Sequence, residues 1–87
     1  MATFWIWLGE AMMNYDSEVD AVGLKCPMPI LRCKKGLNAL QKNQILKIST
    51  TDKNATKDLK VFCHQTGHKF IYSELVGDVT SSYIQKN

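Results

Sequence analysis

The segment Cys26-Pro27-Met28-Pro29 separates a short strand from the first helix and decides how the rest of the chain is interpreted. Proline has no N–H, and the first turn of a helix offers no internal acceptor for one, so both prolines are tolerated there. Pro27 also disfavours a helical conformation at Cys26. We therefore predict a helix that begins at Met28 or Pro29, with an exposed thiol directly before it.

The surroundings of Cys26 favour a nucleophilic sulfur. A helix N-terminus presents unpaired N–H groups and about half a positive charge. Four basic residues lie nearby in the sequence: Lys25, Arg32, Lys34 and Lys35. Such a setting lowers a thiol pKa below its free value of about 8.5. Cys26 is thus the predicted nucleophile. The residues expected to support it or to form a partner surface around it are Lys25, Pro27, Pro29, Arg32 and Lys35.

The other two cysteines, Cys33 and Cys63, are expected in the core. Cys33 lies within the apolar arc of the first helix, and Cys63 lies at the edge of the apolar face of the second. On one helix, Cys26 and Cys33 would be separated by roughly 10 Å, beyond the ~7 Å limit for a disulfide. An odd count of three cysteines indicates reduced thiols and a cytoplasmic location.

Cys63-His64 and His68 were weighed as metal ligands. The chain has no Cys-x-x-Cys pair, and adjacent helical residues point about 100° apart. We predict no metal and no cofactor, with the histidines at and beyond a helix C-terminus, where a protonated imidazole interacts well with the dipole. No pairing of a cysteine with a base is evident, so a hydrolytic Cys-His enzyme is not expected.

Apolar periodicity predicts the element order β-α-β-α-β-β. The predicted elements are a strand around Val19 and Ala21, a helix over about 28–40, a strand with Leu46 and Ile48, a helix from Ala55 to Thr66, and strands Lys69–Val76 and Val79–Gln85. Asp52 to Asn54 supply capping side chains for the second helix, and Gly67 ends it. An α+β fold with both helices on one face of a four-stranded sheet buries both apolar arcs.

Length and charge limit the classes of function. Eighty-seven residues form one small domain with little room for a deep active-site cavity. The net charge of +3 is too mild for a dedicated nucleic-acid surface. No stretch approaches the ~18 apolar residues of a membrane span, so no direct membrane contact is expected.

Residues 1–15 differ in character from the domain predicted over 16–87. The segment contains Phe4-Trp5-Ile6-Trp7-Leu8 and no basic residue. Two interpretations remain open. In one, the natural start lies at Met12 or Met13, and the extension is an artefact or disordered. In the other, an apolar segment packs on the domain or on a partner.

From Gly23 to Leu31, the sequence Gly-Leu-Lys-Cys-Pro-Met-Pro-Ile-Leu resembles the TusA/SirA family of small sulfur carriers. The lead-in Asp20-Ala21-Val22 and the later segments Thr51-Asp52, Ala55–Asp58 and Phe62-Cys63 fit the same pattern. The resemblance implies a two-layer α/β sandwich with a mixed sheet. It also implies that Asp52, Lys57 and Asp58 belong to the site or to its partner surface.

The resemblance further implies a covalent carrier rather than an enzyme. Cys26 would accept sulfane sulfur as a persulfide from a cysteine desulfurase or another donor. It would then relay that sulfur to an acceptor protein, with tRNA thiolation as a plausible destination. Two alternatives are an accessory thiol protein for uptake of sulfur or selenium compounds and a regulatory nucleic-acid-binding module. Binding by the latter would weaken steeply with salt and be indifferent to Cys26→Ser.

Overall fold

The computed structural model of the protein describes residues 15–87. Within that range the element order is β-α-β-α-β-β, as predicted. The elements are β1 (Ser17–Ala21), α1 (Met28–Asn38), β2 (Ile45–Thr50), α2 (Ala55–Thr66), β3 (Lys69–Val76) and β4 (Val79–Gln85). The predictions for residues 1–14 lie outside the described residues.

The four strands form one mixed sheet in the order β1-β2-β4-β3. β1 runs parallel to β2, whereas the pairs β2–β4 and β3–β4 are antiparallel. One row of paired residues crosses the whole sheet at the end where β1 and β2 finish: Ala21, Thr50, Thr80 and Leu75. The loops that follow β1 and β2 therefore begin at the same edge of the sheet, beside the hairpin turn between β3 and β4.

Side chains alternate along the strands, and one face of the sheet packs against both helices, which confirms the predicted two-layer α+β fold. On β2, Leu46, Ile48 and Thr50 are fully buried. Their neighbours complete one core cluster, whose buried members are Ala21, Cys33, Leu37, Leu46, Ile48, Leu59, Cys63 and Ile84. Burying each apolar side chain of this size stabilises the fold by roughly 1.5–3 kcal/mol.

Gly36 lets α1 pack closely against the sheet. A Cβ atom at this position would lie 2.9 Å from a Val19 methyl group and 3.1 Å from a Leu46 methyl group. Such distances are too short for carbon atoms in contact, so a side chain here would push α1 outward. The α1 N-terminus, and the Cys26 loop before it, are thus held at a fixed height above β1 and β2.

α1 ends earlier than predicted, at Asn38 rather than near Leu40. The reason is a tightening of the chain: the N–H of Ala39 donates to Gly36 O and that of Leu40 to Leu37 O, at 3.2 and 3.0 Å. These bonds span three residues rather than four and close the helix. Leu40 still packs against the core.

α2 begins at Ala55 and ends at Gly67 in the left-handed conformation, with φ +84°, as predicted. The prediction for its N-terminus was wrong in one respect. Asn54 occupies the cap position, but its side chain makes no capping hydrogen bond. Asp52, two residues earlier, accepts the Asn54 N–H at Oδ1 over 3.0 Å and leaves its other oxygen free for a different partner.

Candidate functional site

Cys26 lies in the loop between β1 and α1, two residues before the helix begins, as predicted. Its thiol is free and exposed. The turn is closed by the Met28 N–H, which donates to Lys25 O at 2.8 Å, and by the Leu31 N–H, which donates to Pro27 O at 3.2 Å. Pro27 is the cap residue and supplies no side-chain capping bond. The sulfur is thus presented at a helix N-terminus.

Asp52 joins the Cys26 loop to the loop that precedes α2. Its Oδ2 accepts a hydrogen bond from the Cys26 N–H at 3.0 Å, and its Oδ1 accepts the Asn54 N–H. Its own N–H donates to Thr50 Oγ1 at 3.1 Å. One carboxylate therefore satisfies backbone donors from both loops, and charge-assisted bonds of this kind are stronger than neutral ones.

A second bond joins the same two loops. The Gly23 N–H donates to Thr51 Oγ1 at 2.9 Å, and Gly23 adopts a φ of +82°, which glycine reaches without a steric penalty. Between the loops lies an open groove of about 580 Å³. The residues that line it are Gly23, Leu24, Lys25, Cys26, Thr51, Asp52, Lys53 and Asn54.

The structure contradicts the prediction that the Cys26 pKa is lowered. A hydrogen bond with the Asp58 carboxylate is the main cause that raises this pKa above its usual value of 9.0. Loss of water around the thiol and the negative charges of Asp58 and Asp52 act in the same direction. Two carboxylates beside the sulfur disfavour a thiolate, and they outweigh the partial positive charge of the helix end.

The basic residues predicted around the sulfur occupy different places. Lys25 lines the groove of Cys26. Arg32 and Lys35 instead line a separate cavity along β1, together with the acidic Glu18 and Asp20. That surface carries both signs of charge, because basic residues of α1 and acidic residues of β1 line it together. The structure therefore does not bring Arg32 and Lys35 into the groove of the thiol.

The remaining predicted site residues divide by exposure. Pro27 and Lys57 are exposed, Asp58 is half-buried, and Pro29 is buried. Burial places Pro29 inside the domain rather than on a partner surface, because the first turn of α1 packs it against the interior. Asp58 lies in the first turn of α2 and raises the pKa of the Cys26 thiol, but neither it nor Lys57 lines the groove.

Cys33 and Cys63 lie in the core as predicted, with 0% and 2% of their surface exposed. Burial raises the pKa of Cys33 to about 12 and that of Cys63 to about 11. These thiols are protonated and shielded. Neither belongs to the groove of Cys26.

The expectation for a protonated histidine beyond the α2 C-terminus was wrong at His68. Burial, and then the charge of Lys86, lower the pKa of His68. Its Nδ1 accepts a hydrogen bond from the Asn87 N–H at 3.0 Å, which requires that nitrogen to be unprotonated. The neutral imidazole ties the C-terminus to the start of β3.

Residues 15–87 contain neither a metal-binding cluster nor a membrane-spanning helix. In this part of the chain, histidine, cysteine and acidic side chains do not gather in any group of three or more that could hold a metal ion. None of the helices described is long and apolar enough to cross a membrane.

Two features of the site were not found by sequence reasoning. The first is the bond between Thr51 and Gly23, and the second is the contact of Asp52 with the Cys26 backbone, 26 positions away. The sequence analysis gave Asp52 as a capping residue and, from the family resemblance, as part of the site, but it predicted neither of these two contacts. The parallel pairing of β1 and β2 is the indication that the two loops meet, since it places both strand ends at one edge.

Comparisons with known proteins identify relatives of this chain. The family model described as Sulfurtransferase TusA matches residues 17–86. The sulfur carrier protein TusA of Allochromatium vinosum is 42% identical over 76 residues, which cover 87% of this chain and 100% of that protein. YrkI of Bacillus subtilis is 43% identical over 74 residues, or 85% of this chain and 99% of that protein.

Among solved structures, the SirA-like protein from Desulfitobacterium hafniense has a similar fold. Its TM-score is 0.72 at 24% identity, and the match covers 80% of this chain and 96% of that one. At this level of identity the likeness shows the shared two-layer fold alone.

Proposed function

We propose that this chain, which belongs to the TusA family and is a sulfur carrier protein, carries its sulfur as a persulfide on Cys26. The observation that supports this most directly is the contrast among its three free cysteines: Cys26 is exposed, and the other two are buried. Only an exposed thiol can contact the sulfur of another protein without unfolding. The groove around Cys26 is open enough to admit the chain of a partner.

The transfer is an exchange at sulfur. The Cys26 thiol loses its proton, and the thiolate attacks the terminal sulfur of a donor persulfide. The S–S bond of the donor breaks, a new S–S bond forms on Cys26, and the donor cysteine leaves as a thiolate that takes up a proton. One thiol and one persulfide are consumed and one of each is produced. No oxidant, reductant, metal or cofactor is required, and the chain acts as a covalent carrier.

Asp52 and Asp58 have distinct roles in this scheme. Asp52 holds the backbone of Cys26 and so fixes where the sulfur lies. Asp58 is the main cause of the raised Cys26 pKa and so favours the protonated thiol. A raised pKa reduces the thiolate fraction from which exchange proceeds.

A sulfur carrier interacts with a donor and an acceptor protein. In our proposal the donor is a cysteine desulfurase in the cytoplasm, and the acceptor is a protein with its own cysteine. Thiolation of tRNA is the proposed destination of the sulfur. We assign Lys25, Pro27 and Lys57 to the contact surface; the position of Lys25 in the groove and the exposure of the other two support this assignment.

The test is intact mass spectrometry after incubation with a cysteine desulfurase and cysteine. We expect the wild-type protein to gain one sulfur, and Cys26→Ser to gain none. Cys63→Ala is the matched control, because it removes a buried thiol and keeps Cys26; it is expected to gain one sulfur. Equal gain by the wild type and Cys26→Ser would show that the sulfur is carried elsewhere.

A further inference from the structure

The groove of Cys26 shares part of its lining with a second cavity. This second cavity, of about 390 Å³, adjoins it and extends to the hairpin between β3 and β4. Both cavities share the segment Thr51 to Lys53. The far cavity adds Leu75, Gly77, Asp78 and Thr80 to the lining. The two cavities are therefore neighbours at Thr51–Lys53, and we call them together the extended groove.

Leu75 is an apolar side chain that the fold leaves uncovered at the far end of this groove. It pairs with Thr80, which pairs with the buried Thr50, so all three lie on the face of the sheet that packs against the helices. Yet 68% of Leu75 is exposed, the largest fraction among the large apolar residues described in 15–87. The helices cover the middle of this face and leave its β3 corner open.

We infer that the extended groove binds the cysteine-bearing segment of the protein that exchanges sulfur with Cys26, with an apolar side chain of that segment packed on Leu75. This inference rests on the proposed function, because sulfur exchange requires the partner's sulfur to contact Cys26 and so places partner chain inside the groove. From Cys26, the shared segment Thr51–Lys53 leads to the neighbouring cavity and to Leu75.

The spacing of the strands sets the reach of such a segment. The Cys26 backbone is bound to Asp52, close to the β2 end of the row that contains Thr50 and Leu75. β2 and β3 are two steps apart, or roughly 10 Å at about 4.8 Å between neighbouring strands. An extended chain covers that distance in about three residues. The apolar side chain thus lies about three residues from the partner's cysteine.

The charges of the extended groove favour a protein segment over a polyanion. Its charged lining residues are Lys25, Lys53, Asp52 and Asp78, two of each sign. These charges cancel, so recognition depends on apolar contact and on backbone hydrogen bonds. A nucleic acid would require an excess of basic side chains along the groove.

The experiment compares Leu75→Glu with Val76→Glu. Val76 is the matched control: it is 65% exposed on the same strand, but it pairs with Val79 on the opposite face and does not line the groove. Each variant receives sulfur either from a cysteine desulfurase with cysteine or from the small donor glutathione persulfide. Initial rates of sulfur gain are measured by intact mass spectrometry.

With the protein donor, we expect Leu75→Glu to lower kcat/KM by about tenfold or more, a loss comparable to removing one buried leucine-sized contact. Val76→Glu should remain within about twofold of the wild type. With glutathione persulfide, both variants should match the wild type, because the small donor does not reach Leu75.

Two results would overturn the inference while leaving the proposed function intact: equal effects of the two variants with the protein donor, or an equal slowing of Leu75→Glu with both donors. The second result would mean that the substitution acts on the thiol rather than on the partner. A wild-type protein that gains no sulfur from either donor would overturn the proposed function and the inference together. Unchanged thermal midpoints confirm that both variants are folded.

Discussion

The loop that carries Cys26 and the core that contains Cys33 and Cys63 place the same functional group in opposite environments. All three thiols have a raised pKa, but for different reasons. At Cys26 the main cause is the carboxylate of Asp58, whereas at the other two it is burial. A thiol pKa alone therefore does not identify the sulfur site of this protein. Exposure and the adjoining groove distinguish Cys26.

The core thiols and Cys26 also differ in what is needed to alter their reactivity. The core thiols are protected by the packing of the whole domain, and only unfolding exposes them. The carboxylates of Asp58 and Asp52 raise the pKa of the exposed Cys26 thiol. A single substitution can remove either carboxylate. Three measurements test this contrast, beginning with the largest expected effect.

The first prediction concerns alkylation of the native protein by iodoacetamide. Cys26 should react as an exposed thiol, and Cys33 and Cys63 should react at least about a thousandfold more slowly, because their exposure requires opening of a core worth several kcal/mol. Mass spectrometry of proteolytic fragments after timed labelling gives the three rates. Labelling in urea is the control and should make all three react. Labelling of Cys33 in the native protein within tenfold of the Cys26 rate would contradict the prediction.

The second prediction concerns stability at alkaline pH. The Cys33 pKa is about 12 when folded and 9.0 is its ordinary value, so the buried thiol stays protonated where the unfolded chain has lost the proton. Because the folded pKa is raised, the associated stability is fully present below pH 9 and is lost as the pH rises toward 12. The loss is about 1.4 kcal/mol per pH unit for each such thiol.

Replacing Cys33 by valine should remove one of these contributions. Urea denaturation between pH 8 and pH 11 measures it: above pH 9 the free energy of unfolding of Cys33→Val should fall less steeply than that of the wild type. The comparison at pH 8 isolates any packing effect of the valine. Parallel curves for the two proteins above pH 9 would show that the core thiol does not govern the alkaline loss.

The third and smallest effect concerns the carboxylates beside Cys26. Asparagine at Asp58 removes the negative charge nearest the thiol, so the Cys26 pKa should fall and alkylation near pH 7 should become a few-fold faster. Asp52→Asn should act in the same direction but less, since Asp52 is the weaker contributor. The measurement is the pH profile of iodoacetamide alkylation.

Glu18→Gln serves as the control for a general change in net charge, because Glu18 lies on β1 outside the groove. Its profile should coincide with that of the wild type. A shift of the Asp58→Asn profile to higher pH would show that the carboxylate assists the thiolate rather than restraining it.

The fold was largely predictable from the sequence because its signals are local. Alternating apolar residues defined β3 and β4 at Lys69–Val76 and Val79–Gln85, and both strands have these bounds in the structure. Gly67 ended α2 as expected, because its left-handed conformation is one that glycine adopts readily. The error at the end of α1 has a local cause as well: the tightening at Gly36 to Leu40 leaves the apolar pattern unchanged, so periodicity could not reveal it.

The electrostatics of the site were not predictable in the same way. The sequence places basic residues near Cys26, and proximity along the chain suggested a lowered pKa. The structure instead places Asp52 and Asp58 beside the thiol, from a loop and a helix that follow the next strand. Arg32 and Lys35, although closer in sequence, line a separate cavity along β1. Distance in space, rather than along the chain, determines the Coulomb interaction.

The sequence by itself determined the element order, the two-layer fold and the exposure of Cys26, because turn-forming prolines and apolar periodicity act over a few residues. The tertiary structure alone decided the direction in which the pKa of the Cys26 thiol is shifted and the position of the cavities beside it. Those properties depend on the parallel pairing of β1 with β2, which brings the two helix-starting loops together, and on the β3 corner where Leu75 is left uncovered. Neither arrangement can be predicted from a local sequence pattern.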